Sequence, residues 1–208
     1  MFYPANQRDI ALLPHDPLKA IIAPRPVGWV STINGKGEVN LAPYSFFNAF
    51  SSRPMILGFS SEGAKDSASF AKETGEFVWN LASYALRDAM NASSAPLPRG
   101  TSEFEHAGLE RAPSMLVKPP RVAAAPAALE CKVTDIIELK GVDGASVNCF
   151  LVLGEVVGVH IADRFIVEGR FDTAAARPLA RCGYADYAVV DEVFSLKRPA
   201  GAGGGGVA

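Results

Sequence analysis

With 208 residues, 49% of them hydrophobic and 20% charged, the chain is long enough for one large domain and too short for two full enzymatic domains. A net charge of −2 without a basic stripe argues against a nucleic-acid binder, and no apolar run approaches the roughly 20 residues of a membrane span. Cys131, Cys149 and Cys182 are odd in number, far apart and without CxxC spacing, so no disulfide framework or zinc site is expected, and a cytoplasmic setting fits.

The first ten residues, MFYPANQRDI, lack the basic and apolar regions of a signal peptide. Residues 24–33 are rich in β-branched and aromatic side chains and predict a strand. Asn34-Gly35-Lys36-Gly37 follows, a hairpin signal because Asn and Gly tolerate positive φ, and residues 38–42 form the return strand. Residues 43–50 (PYSFFNAF) mix rings with polar groups, and residues 54–60 (PMILGFS) read as a buried strand. The period then changes: residues 65–73 predict a helix stopped by Thr74-Gly75, followed by a strand over 77–82 and a helix over 86–92.

Residues 93–126 are proline-rich and aperiodic, a long excursion with a short helix near Ser102, where Ser102 and Glu105 match a capping box. Two long strands, 128–139 and 148–161, join at Gly141 to Gly144, and the second is apolar enough to be central. Residues 173–180 are weakly helical, and residues 189–196 form a last strand. The tail, 199–208, has almost nothing to bury and is expected to be mobile, leaving residues 1–198 as a single domain. Paired strands without strand–helix alternation predict a mainly β, antiparallel barrel with a few peripheral helices.

Two segments carry candidate chemistry. Residues 60–67, SSEGAKDS, run from a strand into a helix, whose first N–H groups and dipole suit a phosphate. The hydroxyls of Ser60, Ser61 and Ser67 would donate to its oxygens, and Lys65 would supply charge. Taken alone, the segment is explained more simply by capping, with Asp66 or Ser67 as N-cap and Lys65 solvated. Residues 40–48, NLAPYSFFN, combine rings, hydroxyls and amides as a flavin requires, although a core strand pair burying Phe46 and Phe47 explains them as well. Trp29 and Trp79 sit in strands and read as core. His15 reads as solvated, His160 as a satisfied structural histidine, and Cys149 as an inert buried thiol. There is no GxSxG, no Walker A, no GxGxxG opening a helix, and no His/Cys/Glu grouping with metal-ligand spacing.

Seven segments together resemble the flavin-reductase-like family of FMN-binding split-barrel proteins, in its conserved flavoprotein oxidoreductase branch: RPVGWVST (25–32), NLAPYSFFN (40–48), FSSEGAKDS (59–67), EFVWNLAS (76–83), MNASSAP (90–96), LVLGEVVGVHI (151–161) and RPLARCGYADYA (177–188). The resemblance implies a six-stranded antiparallel split barrel and a homodimer, with FMN near the subunit interface. It carries over Ser31, Thr32, Lys65, Asp66 and Ser67 to the ribityl and phosphate side, in a turn shared with Ser60 and Ser61. It lays the ring along Ala42, Pro43, Tyr44, Ser45, Phe46, Phe47 and Asn48, with Ser45 and Asn48 at its polar edge. Asn80 falls nearby, and Tyr184 and Tyr187 lie on a C-terminal segment that reaches the flavin.

The implied activity is electron transfer from NADH or NADPH through FMN to free flavin, a small-molecule acceptor, a partner oxygenase or another redox protein. One departure bears on the donor: where related reductases often carry Gly-Asp-His, this chain has Val147-Asn148-Cys149. That change favours a rival reading, an FMN-binding electron carrier reduced by a protein partner. A haem-binding split barrel is a third reading, but only His15, His106 and His160 are available as axial ligands, with no supporting pattern.

Overall fold

The computed structural model describes residues 1–98, 100–197 and 199. Seven strands form its main sheet: β1 (Gly28–Ile33), β2 (Val39–Tyr44), β3 (Phe47–Ser52), β4 (Met55–Glu62), β5 (Glu76–Leu81), β6 (Ala127–Lys140) and β7 (Ser146–Ile161). Their order is β2-β1-β5-β6-β7-β4-β3, and every pairing is antiparallel. The fold is mainly β, of the split-barrel class, as expected. Hairpins supply three of the six neighbouring pairs, β1–β2, β3–β4 and β6–β7. The β1–β2 turn closes with Gly37 N–H donating to Asn34 O at 3.0 Å, Gly37 at φ +84°, and Asn34 Oδ1 accepting from the N–H groups of Lys36 and Glu38. A second, small sheet joins Arg25–Pro26 to β8 (Leu179–Gly183) and β9 (Asp186–Val189).

Helix α1 (Asp66–Thr74) packs across β1 and buries Ala68, Phe70 and Ala71. Gly75 ends it in the left-handed conformation, its N–H returning to Ala71 O at 2.9 Å. Strand alternation sends Val30 and Phe77 into the barrel with Phe59 and Val152, and sends Trp29 and Leu41 to the opposite face. Gly28 is needed for that interior, because a Cβ there would stand 2.6 Å from the Phe47 ring, which stacks on Trp79 with its centroid at 5.8 Å.

The proline-rich excursion, with helices α2 (Arg87–Ala92) before it and α3 (Glu103–His106) within it, covers the outer face of the β1–β2 hairpin. Met90, Phe104 and Val122 pack there on Trp29 and Leu41. Buried polar groups fasten it. Trp29 Nε1 donates to Ser93 Oγ at 2.9 Å, and Val122 N–H donates to Asn80 Oδ1 at 2.8 Å. Glu130, buried on β6, accepts the N–H groups of Met115, Leu116 and Val117 at 2.7, 2.6 and 3.1 Å and pairs with His160 Nε2 at 2.5 Å. Gly158 leaves room for that carboxylate, since a Cβ there would meet it at 3.2 Å. His160 is thus the satisfied structural histidine the sequence suggests.

Four expectations are corrected. Ser102 stands at the N-cap of α3 but makes no cap bond; its Oγ accepts from Arg111 at 2.8 Å, and Glu105 pairs with the same guanidinium. Residues 173–180 are a helix only over Thr173–Ala176, because Arg177 at φ +49° ends the turn and β8 begins at Leu179. The last strand is β9, which ends at Val189; Val190 N–H still donates to Pro178 O at 3.0 Å, and residues 191–196 have no regular structure. Cys149 is half-buried, beside Ser60 Oγ at 3.1 Å, whereas Cys131 is the inert thiol, raised well above its usual range by burial and then by the Glu130 charge. The expected mobile tail lies outside the described residues save Pro199.

Burial pushes the Glu130 carboxyl up, but the His160 hydrogen bond and the Met115 and Leu116 N–H groups outweigh it and leave it below its ordinary value. A folded-state pKa that is depressed stabilises the fold above the unfolded-state value, roughly 4.3, and that contribution fades as pH falls through the folded one. In Glu130→Gln an amide NH2 faces the N–H donors, so urea denaturation at pH 7 is expected to show a loss of about 2 kcal/mol. The gap between variant and wild type is expected to narrow at pH 4.

Candidate functional site

The β2 strand presents Asn40, Ala42 and Tyr44 on the face that α1 approaches, while Leu41 on the other face packs under the excursion. Between them opens a cleft of about 410 Å³, walled by Asn40, Ala42, Pro43 and Tyr44, by Lys65, Asp66 and Ser67, by residues 93–97 and by Glu103. Helix α1 points its first turn into this cleft. Lys65, and neither Asp66 nor Ser67, occupies the N-cap position, in an extended conformation and without a side-chain cap bond of its own. The capping explanation of Asp66 and Ser67 therefore fails: Ser67 Oγ accepts from Asn40 Nδ2 at 2.7 Å. The first-turn N–H groups, the helix dipole and Lys65 form a seat for an anion.

The opposite wall is polar in a different sense. Burial raises the pKa of the Tyr44 phenol, and the charges of Asp66 and Glu103 add to that against the lowering effect of the Ser67 and Ser61 hydroxyls, so it stays protonated at neutral pH. Burial likewise raises the Glu103 carboxyl, with Asp66 adding to the shift, although Leu41 N–H donates to its Oε2 at 3.0 Å and pulls the other way. One end of the cleft thus offers donors to an anion, and its flank offers carboxylate acceptors. Thr32, the cross-strand partner of Asn40 on β1, is fully buried, and its Oγ1 has no hydrogen-bond partner.

Among the residues singled out by sequence, Ala42, Pro43, Tyr44, Lys65, Asp66 and Ser67 come together around this cleft. Ser45 lines an adjoining one of about 300 Å³ that shares Pro43, Tyr44 and Ser94. The rest stand apart. Ser31 and Asn80 point to the excursion side, where Ser31 Oγ donates to Pro120 O at 2.5 Å and Asn80 holds Trp29 O and Val122 N–H. Phe47 turns into the barrel. Asn48 is exposed, and its Oδ1 accepts from the next N–H. Ser60 faces Cys149, Ser61 Oγ donates to Gly63 O, Phe46 is half-exposed under Arg25, and Tyr184 sits in a turn at φ +44°.

Sequence reading missed Glu103 and Arg181. Glu103 lies next to Ser102 without belonging to the expected capping pair, and β8 brings Arg181 to Ser45 through its pairing with Arg25, 156 residues away in sequence. No group of three His, Cys, Asp or Glu suited to a metal occurs among the described residues. No helix among them is long and apolar enough to cross a membrane.

The family described as "Flavin reductase like domain" matches residues 22–173. An uncharacterised protein of Halalkalibacterium halodurans is 39% identical over 183 residues, 86% of this chain and 87% of the relative. The crystal structure of nitrilotriacetate monooxygenase component B from Bacillus cereus superposes with a TM-score of 0.84 at 31% identity, covering 94% of this chain and 98% of that one. The 2-nitrobenzoate 2-nitroreductase of Pseudomonas fluorescens gives a TM-score of 0.82 over 99% of this chain and 100% of that one; at 24% identity this speaks for the fold.

Because the Thr32 hydroxyl is buried without a partner in the bare chain, replacing it by the near-isosteric Val removes a desolvated polar group at little cost in packing. Thr32→Val, melted without added ligand, is expected to gain up to about 1 kcal/mol.

Proposed function

The chain belongs to the flavin reductase-like family, and from that premise we propose that it is an FMN-dependent oxidoreductase whose cofactor enters the cleft between β2 and α1. The observation that carries this reading is the first turn of α1, where Lys65 makes no side-chain cap bond and Lys65 and Ser67 line the cleft, with the unpartnered Thr32 hydroxyl buried on the neighbouring strand opposite Asn40. The donor set fits a ribityl phosphate. Its anionic end matches the N–H groups and Lys65, and its hydroxyls match Glu103, Asn40 and Ser67. Bound FMN supplies two-electron chemistry, accepting hydride equivalents from a donor and yielding them to an acceptor.

The chain's own part is to bind, orient and shield. Lys65 and the α1 turn fix the phosphate, Ala42, Pro43 and Tyr44 back the ring, the Tyr44 phenol donates at its edge, and residues 93–97 form the outer wall. No acid or base from the protein is required. In this reading residues 1–198 act as one domain in a reducing, cytoplasmic setting, and the acceptor is free flavin, a small oxidised molecule or a partner oxygenase. The likeness to a monooxygenase component supports the last.

NADH or NADPH is the proposed donor. The rival, an electron carrier reduced by a protein partner, is favoured by Val147-Asn148-Cys149, where the backbone takes φ +52° at Asn148 and the thiol meets Ser60. Anaerobic titration of FMN-loaded protein decides between them. Bleaching with a nicotinamide donor is expected; bleaching with neither donor would leave the carrier. Lys65→Ala is expected to weaken FMN at least tenfold while changing riboflavin affinity little, and Thr32→Val to weaken FMN as well. Protein that stays colourless after incubation with FMN would sink the reading.

A homodimer is proposed on the outer face of β3, β4 and β7. Gly58 lets Phe50 and Leu153 lie flat there, since a Cβ would stand 2.6–2.7 Å from both, and Phe50 remains 56% exposed. Wild-type protein is expected to sediment as a dimer and Phe50→Asp as a monomer with an unaltered melting profile at low concentration.

A further inference from the structure

Arg25 and Arg181 are cross-strand partners in the small sheet, so their side chains leave the same face side by side. Like charges placed so are unfavourable unless something neutralises them. Neither guanidinium has a carboxylate within 4.0 Å among the described residues. Arg25 is buried, donates to the carbonyls of Lys19 and Ile22, and leaves its Nε without a partner. Arg181 donates to Tyr184 O and lies over the Tyr187 ring at 4.5 Å. Lys19 adds a third positive charge over Phe46 at 5.7 Å. Arg181 and Tyr187 wall the cleft of about 300 Å³ beyond Pro43 and Tyr44, together with Val27, Ser45, Asn91 and Ser94.

We propose that this second cleft seats the oxyanion of the small molecule that exchanges electrons with the flavin, Arg181 holding it and Tyr187 flanking its planar body. The proposal rests on the flavin reading above and adds to it a substrate class. A guanidinium preorganised on an aromatic face presents a planar fork to a carboxylate or phosphate. Val27, Pro43 and Tyr187 give the flat apolar contact a ring requires, and Ser45, Asn91 and Ser94 take its polar substituents. The volume lies at the lower end for small-molecule sites, which suits a single-ring acid. The phosphate of a nicotinamide coenzyme shares the chemistry and is separated by experiment.

In FMN-saturated protein, benzoate is expected to shift the visible flavin band, and neutral benzamide to do so at least tenfold more weakly. Arg181→Gln is expected to raise the apparent Kd for benzoate at least tenfold while FMN affinity changes less than twofold, and Arg181→Lys to fall between. NADPH is titrated in parallel. A tenfold loss for benzoate assigns the seat to an acid substrate, a loss for NADPH alone assigns it to the coenzyme phosphate, and no loss for either overturns it. Equal binding of benzoate and benzamide overturns it too, as does loss of FMN in Arg181→Gln comparable to that in Lys65→Ala, because Arg181 would then belong to the cofactor. Should the chain take up no FMN, calorimetry of benzoate against the bare protein and both Arg181 variants tests the seat independently.

Discussion

Both faces of β1 are covered, and the site follows from that constraint. A strand with one solvated face would alternate in burial, but Gly28 to Thr32 are buried without interruption. Inward, Val30 meets the barrel core, and α1 lies across the strand. Outward, Trp29 and Ser31 meet the excursion. The hairpin is therefore clamped between two layers that approach it from opposite sides, and the cleft is the seam where they come together along β2. Moving either layer would uncover apolar surface worth about 25 cal/mol per Å², so the mouth is held in shape by the same burial that holds the barrel.

The fastenings of the outer layer are polar because proline-rich chain cannot make ladders of its own. Residues 113–126 have few regular partners, so their N–H groups are satisfied one at a time by buried side chains. Glu130 takes three and Asn80 takes one. A buried carboxylate is costly unless its lone pairs are filled, and here three amides and an imidazole fill them. That arrangement explains why a glutamate sits in the buried first part of β6, and why glycine stands beside it at 158.

Much of the fold was legible because it is local. The Asn34–Gly37 turn, the Gly75 stop and the apolar run of β7 each state their role within a few residues. The α1 end of the cleft was legible for the same reason, since a strand, a turn with hydroxyls and a helix start are consecutive. What stayed hidden depended on distant pairing or on which face a residue takes. Ser31 and Thr32 are neighbours, yet alternation puts one under the excursion and the other beside Asn40. Asn80 takes the excursion side too, where it bonds Trp29 O and Val122 N–H. Glu103 and Arg181 reach the clefts across long stretches of chain, and no spacing rule announces them.

The hydrogen bond from Trp29 to Ser93 joins a barrel indole to the first residue of the loop that walls the larger cleft. An indole's emission responds to the polarity and rigidity around its N–H. The protein therefore carries a built-in optical gauge of that wall, distinct in position from Trp79, whose ring is stacked inside the barrel and whose N–H is held by Val27 O.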